Sequence, residues 1–397
     1  MKKVDVLVVG AGMYVCGRGT EGYGTILPAL FEACYQGYID TIHIAATSKT
    51  SVNALQKKAE ELAGVLGGTP KLCFYPEHKS HDDNAYMKAM DSAKKPCCAI
   101  VSVPDQFHYP VTKQLIQNNL HLLVVKPLVD RLIHLKELLF LQQKHRVLGL
   151  VEFHKRFDEA NITLRDIYRE GELGELLNIR VDYSQRKVIP ERYFRNWVDK
   201  TDIFQYLGIH YVDLIRFITD AVPLRAMSYG QKKWLIKKGI DNYDTILTDI
   251  EWTLPEKGGN FLSSHLTGWI DPDRSGAMSD QRIEVIGTRG RFQSNQKDRG
   301  ITMITDDTPG EEKINPYFSR ISTSVRENRK KVKGYGPQSI LNFIRDVSDI
   351  INRKKTVSDL TGLRATFESS LYPTAVIEAS KQSLKTNNVW INLDKFT

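Results

Sequence analysis

The stretch Val4-Asp5-Val6-Leu7-Val8-Val9-Gly10-Ala11-Gly12 decides the fold class. Its apolar run has the length of one buried strand, and a Gly-Ala-Gly turn follows at once. Glycines there let a pyrophosphate come close to backbone N–H groups, because no side chain stands in the way. The third glycine of the dinucleotide fingerprint would fall at Val15, so the motif is incomplete. Gly17, Gly19, Gly22 and Gly24 then delay the first helix until about Thr25, leaving a long loop that carries Arg18. Arg18 is a cation suited to the pyrophosphate, and a bound dinucleotide is expected to order this entropically costly loop. A tight turn without a ligand is the alternative.

Working outward, short apolar runs alternate with helical-period segments through residue 153. The strands read 4–10, 42–47, 71–75, 97–103, 121–125 and 147–153. Between them Val52, Leu55, Ala59, Leu62 and Leu66 recur at helical spacing, as do Leu132, Leu135, Leu138 and Leu139. This alternation predicts a doubly wound parallel sheet. Beyond residue 153 the pattern changes to helices at about 158–171 and 205–219, a strand at about 177–188, and long alternating strands at 245–254, 260–270 and 281–288. Helices at about 337–353 and 360–384 close the chain. The predicted fold class is α/β: a Rossmann domain over 1–153, then an α/β domain over 154–397 on a large mixed or antiparallel open sheet.

Composition excludes several classes. The net charge is +8, yet the basic run Arg326 to Lys333 lacks interleaved aromatics and any nucleic-acid motif, so no nucleic-acid partner is expected. A positive field suits phosphorylated or nucleotide-linked substrates instead. Five cysteines without a CxxC pair, and a start that runs directly into a strand, fit a reducing cytoplasm. The apolar run from Leu120 to Val129 is broken by Lys126 and Pro127, so no membrane segment is expected. His78-Lys79-Ser80-His81-Asp82-Asp83 reads as a polar loop before a helix, with Asp82 or Asp83 as its cap, rather than a metal site.

At the end of the second strand, where an acid would bind ribose hydroxyls, the chain reads Ala46-Thr47-Ser48-Lys49. Hydroxyls and a cation there favour NADP(H), with NAD(H) as the alternative cofactor; Thr47 and Ser48 also suit a helix cap. Lys126-Pro127 ends the fifth strand on the edge where open α/β sheets bind ligands, and Glu152-Phe153-His154 ends the sixth on the same edge. His210 lies in an amphipathic helix with Leu207, Leu214 and Phe217, where a packed core histidine is the plainer reading.

The ordered set is specific. Gly10-Ala11-Gly12, Val103-Pro104-Asp105-Gln106-Phe107-His108, Lys126-Pro127-Leu128 and Gly208-Ile209-His210-Tyr211-Val212-Asp213-Leu214 resemble the glucose-fructose oxidoreductase / inositol dehydrogenase / rhizopine-catabolism (Gfo/Idh/MocA) family. Phe153-His154-Lys155-Arg156-Phe157-Asp158, Val285-Ile286-Gly287-Thr288-Arg289-Gly290 and Gly334-Tyr335-Gly336 extend the likeness over essentially the whole chain.

The resemblance implies hydride transfer between NAD(P) and a sugar, polyol or sugar-nucleotide carbinol or carbonyl. It assigns catalysis to Lys126 and His210; Tyr206, one helical turn before His210, is expected on the same face, as a proton relay or as a packing residue. Cofactor contacts fall to Gly10, Gly12, Met13, Tyr14, Arg18, Thr47, Ser48, Lys49, Val103, Pro104, His108, Lys126, Pro127 and Glu152, and substrate contacts to His154, Arg156 and Asp213. No metal is implied, and a homodimer or homotetramer is. The chain departs from the family where Val125 replaces the acid before Lys126, where Tyr206 replaces an aspartate, and where Lys200-Thr201-Asp202 replaces glycines. An NAD-dependent glycosidase using transient oxidation and a nicotinamide-sensing regulator are the alternative functions.

Overall fold

The opening run forms β1 (Val4–Val9), buried at every position, as a parallel strand covered on both faces must be. In the computed structural model, which describes residues 2–256, 258–306 and 310–394, five more strands join it. They are β2 (Ile39–Ala45), β3 (Lys71–Tyr75), β4 (Cys97–Val101), β5 (His121–Val125) and β6 (Gly149–Glu152). Their order, β3-β2-β1-β4-β5-β6, is parallel throughout. This is the doubly wound order whose switch point, between β1 and β4, opens a crevice at the carboxyl ends of the strands.

Helices α1 (Met13–Cys16), α2 (Ile26–Tyr35), α3 (Lys49–Leu66), α4 (Ala85–Ser92), α5 (His108–Gln117) and α6 (Leu132–His145) connect them. The first helix is therefore not simply delayed to Thr25. A single turn, α1, forms after Gly12 and stops at Gly17, whose φ of 72° ends it, and α2 begins after the glycine loop. In α3, Val52, Leu55, Ala59 and Leu62 are buried as the spacing predicts while Leu66, at the helix end, is only half-buried, and Ser48 caps the helix by accepting from the Ser51 N–H.

The next stretch holds α7 (Glu159–Arg169), β7 (Leu176–Arg186), a π-helical turn at Phe204–Gly208, α8 (Ile209–Thr219), β8 (Val222–Gln231) and α9 (Trp234–Lys237). Then come β9 (Thr245–Thr253), β10 (Asn260–Asp271), β11 (Ser279–Gly287), β12 (Arg291–Asn295) and the short pair β13 (Thr302–Met303) and β14 (Glu312–Lys313). A hairpin of β15 (Arg320–Thr323) and β16 (Lys330–Lys333), then α10 (Tyr335–Ile351), α11 (Leu371–Lys385) and β17 (Ile391–Asn392) follow. The second large sheet runs β12-β11-β7-β10-β9-β8-β17; only β7 and β10 pair in parallel, so the sheet is mixed, as predicted.

The expected division at 153/154 needs correction. The first unit comprises residues 1–128, 134–154 and 317–368, and the second takes the remainder. The chain returns because α10 places Ile340, Leu341, Phe343, Ile344 and Val347 in one apolar core with β1 and α2. Bidentate pairing of Arg329 with Glu32 fixes the β15–β16 hairpin to α2. The helix expected over 360–384 is also shorter. Residues Ala365 and Thr366 instead pair with the free edge of β6, where the Val151 N–H donates to the Ala365 carbonyl at 2.7 Å, and α11 starts only at Leu371.

Candidate functional site

Two glycines after β1 have opposite surroundings. Gly10 has φ 125°, and a Cβ on it would lie 2.0 Å from the Ser102 carbonyl oxygen, so the β1–β4 approach demands glycine. A Cβ on Gly12 would meet nothing within 4 Å, so open space borders the backbone at the start of α1. That open, side-chain-free backbone at the switch point fits the pyrophosphate of a nicotinamide dinucleotide.

The glycine loop is held by protein as well as by any ligand. Lys58 Nζ donates to the carbonyls of Thr20 (3.0 Å) and Glu21 (3.2 Å) and lies 5.4 Å from the Tyr23 ring centroid. Arg18 is drawn to the end of β2: its Nη1 donates to Ser51 Oγ at 2.6 Å, and Ser51 Oγ is 2.7 Å from Ser48 Oγ. Lys49 points elsewhere, with Nζ donating to the Glu77 carbonyl at 2.7 Å. Of the two expected cations, Arg18 is thus the one joined to the serine pair, and Thr47 adds its carbonyl to the Asp82 N–H.

At the end of β5, Lys126 is 7% exposed. Burial pushes its ammonium down to about 8, against the pull of Asp105 and Glu152. His108 ties the neighbouring turns together: Nδ1 lies 2.5 Å from the Pro127 carbonyl and Nε2 2.9 Å from the Val103 carbonyl. Val103 and Pro104 lead into the 3-10 turn Asp105–Phe107. Both His108 ring nitrogens thus meet backbone, which makes this residue a brace for the Lys126-Pro127 turn.

At the end of β6, Glu152 accepts from His154 Nδ1 at 2.9 Å and from Ser339 Oγ at 2.5 Å. The His154 ring stacks near Tyr14 and Tyr335, with Phe318 tilted against it. Burial, with Glu152 next in weight, holds the Tyr14 phenol well above its ordinary range. Sequence reasoning missed Ser339, Phe318 and the position of Tyr335. The motif Gly334-Tyr335-Gly336 was the available signal, but nothing local tied it to β6.

In the second unit, His210 is 3% exposed on α8, with its ring centroid 6.3 Å from that of Tyr183. Tyr206, in the π-helical turn, has its ring among Phe194 (5.0 Å), Trp197 (6.2 Å) and Trp269 (5.9 Å). Arg156 and Asp213, both expected at the substrate, pair at two points: Nε donates to Oδ2 at 2.8 Å and Nη2 to Oδ1 at 2.5 Å, with Asp213 buried and Arg156 partly exposed. Burial raises the Asp213 carboxyl even against Arg156. Lys155 also escaped the sequence reading. It is 2% exposed, bonded to Gln281 and to Gln296 Oε1 (2.7 Å), and 4.9 Å from the ring centroids of both Tyr183 and Tyr211.

Among the described residues no group of three or more His, Cys, Asp or Glu is placed to hold a metal, and no helix is long and apolar enough to cross a membrane.

Two family descriptions match: an oxidoreductase family with an NAD-binding Rossmann fold over residues 36–153, and a GFO/IDH/MocA C-terminal domain over 162–293. An uncharacterised oxidoreductase, YrbE of Bacillus subtilis, is 24% identical over 217 residues, or 54% of this chain. The match spans 60% of that relative's length. An uncharacterised oxidoreductase of Schizosaccharomyces pombe is 28% identical over 29% of this chain and 31% of its own. Among solved structures, a putative myo-inositol dehydrogenase from Sinorhizobium meliloti shares 16% identity at a TM-score of 0.67, covering 98% of this chain and 100% of its own. A scyllo-inositol dehydrogenase from Lactobacillus casei with NAD(H) and scyllo-inositol shares 16% at 0.64, covering 99% and 100%. At these identities the structural likeness concerns the fold.

Proposed function

Since the chain belongs to the Gfo/Idh/MocA oxidoreductase family, we propose that it oxidises a sugar, polyol or sugar-nucleotide carbinol, or reduces the matching carbonyl, with NADP(H) as cofactor. The observation that carries this reading is Lys126, enclosed at the carboxyl end of β5 with its ammonium brought down to about 8. A lysine so tuned exchanges its proton near neutral pH, whereas an exposed one does not. When bound, the nicotinamide supplies or accepts the hydride.

In this reading Lys126 binds and polarises the reacting oxygen, and His210 gives or takes the proton. Glu152 and His108 hold the Lys126 side of the site in shape. Tyr206 contributes its ring to packing, so a proton relay through its hydroxyl is the weaker assignment. The cofactor's 2′-phosphate falls to Arg18 with Ser48 and Ser51, because these three already form one hydrogen-bonded group and no acid stands there to repel it. The family reading adds a homodimer or homotetramer in a reducing cytoplasm. Tyr229, Leu247 and Leu266, exposed in register across β8, β9 and β10, supply an apolar face for self-association, which sedimentation tests.

Absorbance of reduced nicotinamide, followed over a panel of sugars, polyols and nucleotide sugars with each cofactor, tests the activity. Turnover with NADP(H) supports it. Release of free sugar without net nucleotide turnover identifies a glycosidase and overturns it.

A further inference from the structure

The polar run His78 to Asp83, between β3 and α4, is stitched to the end of β2. The Lys49 N–H donates to the Ser80 carbonyl at 2.9 Å and the Asp82 N–H to the Thr47 carbonyl at 2.8 Å, so Ser48 and His81 face each other as antiparallel partners. Both bonds lie outside the pair, which makes it the narrow, non-hydrogen-bonded kind. In such a pair the Cα atoms are about 4.5 Å apart and the two side chains leave on the same face. His81 therefore stands beside the Ser48 hydroxyl, which joins Ser51 Oγ and, through it, Arg18 Nη1. The loop's acids are already engaged. Asp82 accepts from Lys88 Nζ at 2.6 Å and from the Asn84 N–H at 3.1 Å, and Asp83 Oδ1 lies 2.9 Å from His81 Nε2. A carboxylate at Nε2 holds the imidazole in one orientation and leaves Nδ1 for a ligand. The His81 side chain is 61% exposed, so a ligand can reach it.

We propose that His81 is a specificity-determining residue for the cofactor: with Arg18, Ser48 and Ser51 it binds the 2′-phosphate of NADP(H), and Asp83 is its positioning residue. Three separate segments then meet on one phosphate: the glycine loop, the start of α3 and the β3–α4 loop. With Nε2–H turned to Asp83, an anion at Nδ1 draws a second proton from solvent onto the ring, which places an imidazolium between two anions. The other charged side chains of these segments are Glu77 and Lys79 on the loop and Lys49 on α3, which donates to the Glu77 carbonyl. The inference rests on the reading of the cofactor as NADP(H) and deepens it.

Calorimetry on the full-length protein, with NADPH against NADH and adenosine 2′,5′-bisphosphate against adenosine 5′-monophosphate, tests it without any substrate. His81→Ala is expected to weaken NADPH and the bisphosphate about fivefold or more and to leave NADH and the monophosphate within about twofold. The backbone bonds that hold the loop do not depend on the ring, so the variant keeps the loop in place. His81→Lys, which keeps a cation there, restores part of the loss. In the 15N-histidine-labelled parent, the His81 signal, assigned by its loss in His81→Ala, moves to the doubly protonated position with NADPH and not with NADH. Unchanged NADPH affinity in His81→Ala overturns the proposal and leaves the NADP(H) reading standing. An equal loss for NADPH and NADH also overturns it, since the loop then only shapes the end of β2. A parent that binds NADPH no better than NADH overturns the cofactor reading and this inference with it.

Discussion

Replacing Lys126 with methionine should make the protein more stable and less active, with the gain confined to one pH range. The ammonium falls from its ordinary 10.5 to about 8 because burial outweighs the attraction of Asp105 and Glu152. At about 1.4 kcal/mol per pH unit, that gap amounts to about 3 kcal/mol of cost for folding with a charged Lys126. The sign follows from proton counting. Between pH 8 and 10.5 the unfolded chain binds the proton and the folded chain does not, so the lysine's cost fades as pH rises. Below pH 8 both states are protonated and the cost is present in full. Lys126→Met, similar in length and uncharged, should therefore gain up to about 3 kcal/mol at pH 7 and almost nothing near pH 10.5. Urea unfolding of both proteins at pH 7, 8.5 and 10, read at the transition that reports the first unit, measures this. A methionine variant that is less stable than the parent at pH 7 refutes the claim that burial, rather than ion pairing, dominates at this lysine.

Other expectations follow from the same geometry. Arg18→Ala should weaken NADPH binding about tenfold or more while leaving NADH nearly unchanged, and Lys49→Ala should do neither, as read by fluorescence titration. Asp213→Ala removes the buried carboxylate that accepts twice from the partly exposed Arg156 guanidinium and should cost about 1–3 kcal/mol in thermal unfolding; no measurable loss would mean the pair is solvated. Burial pushes His121 down to about 4 and His265 to about 3, so both stay neutral while the unfolded chain takes up protons below its ordinary 6.5. Their contribution is whole above pH 6.5 and drains as pH falls toward 4, and a urea midpoint unchanged between pH 7 and 4.5 would contradict it.

The doubly wound sheet was legible because buried parallel strands are short apolar runs, and β1, β3 and β5 leave no competing period. The position of Lys126 was legible for a related reason: it closes an apolar strand, which sets it at the carboxyl edge of the sheet. The return of 317–368 was not. An amphipathic helix such as α10 carries an apolar face that fits either unit, and the sequence holds no record of which core receives it. Ser339 and its bond to Glu152 were hidden with it. The direction of Arg18 depends on Ser51, which reaches it only once α3 packs beside the glycine loop. Lys49 donates to the Glu77 carbonyl in the β3–α4 loop, a partner that propensity cannot see. The one-turn argument for Tyr206 assumed a regular α-helix. Phe204–Gly208 is a π-helical turn, with a wider residue spacing, and the Tyr206 ring is surrounded by Phe194, Trp197 and Trp269.

The central claim is that Lys126 and His210 carry proton transfer coupled to hydride exchange with a bound nicotinamide. Single-turnover absorbance with the protein, NADP(H) and the best substrate of the sugar panel tests it most directly, comparing the parent with Lys126→Met and His210→Asn at matched cofactor occupancy. Each variant is predicted to bind cofactor as the parent does and to transfer hydride about a hundredfold more slowly or worse. Hydride transfer at the parent rate in either variant, with cofactor bound, would contradict the account.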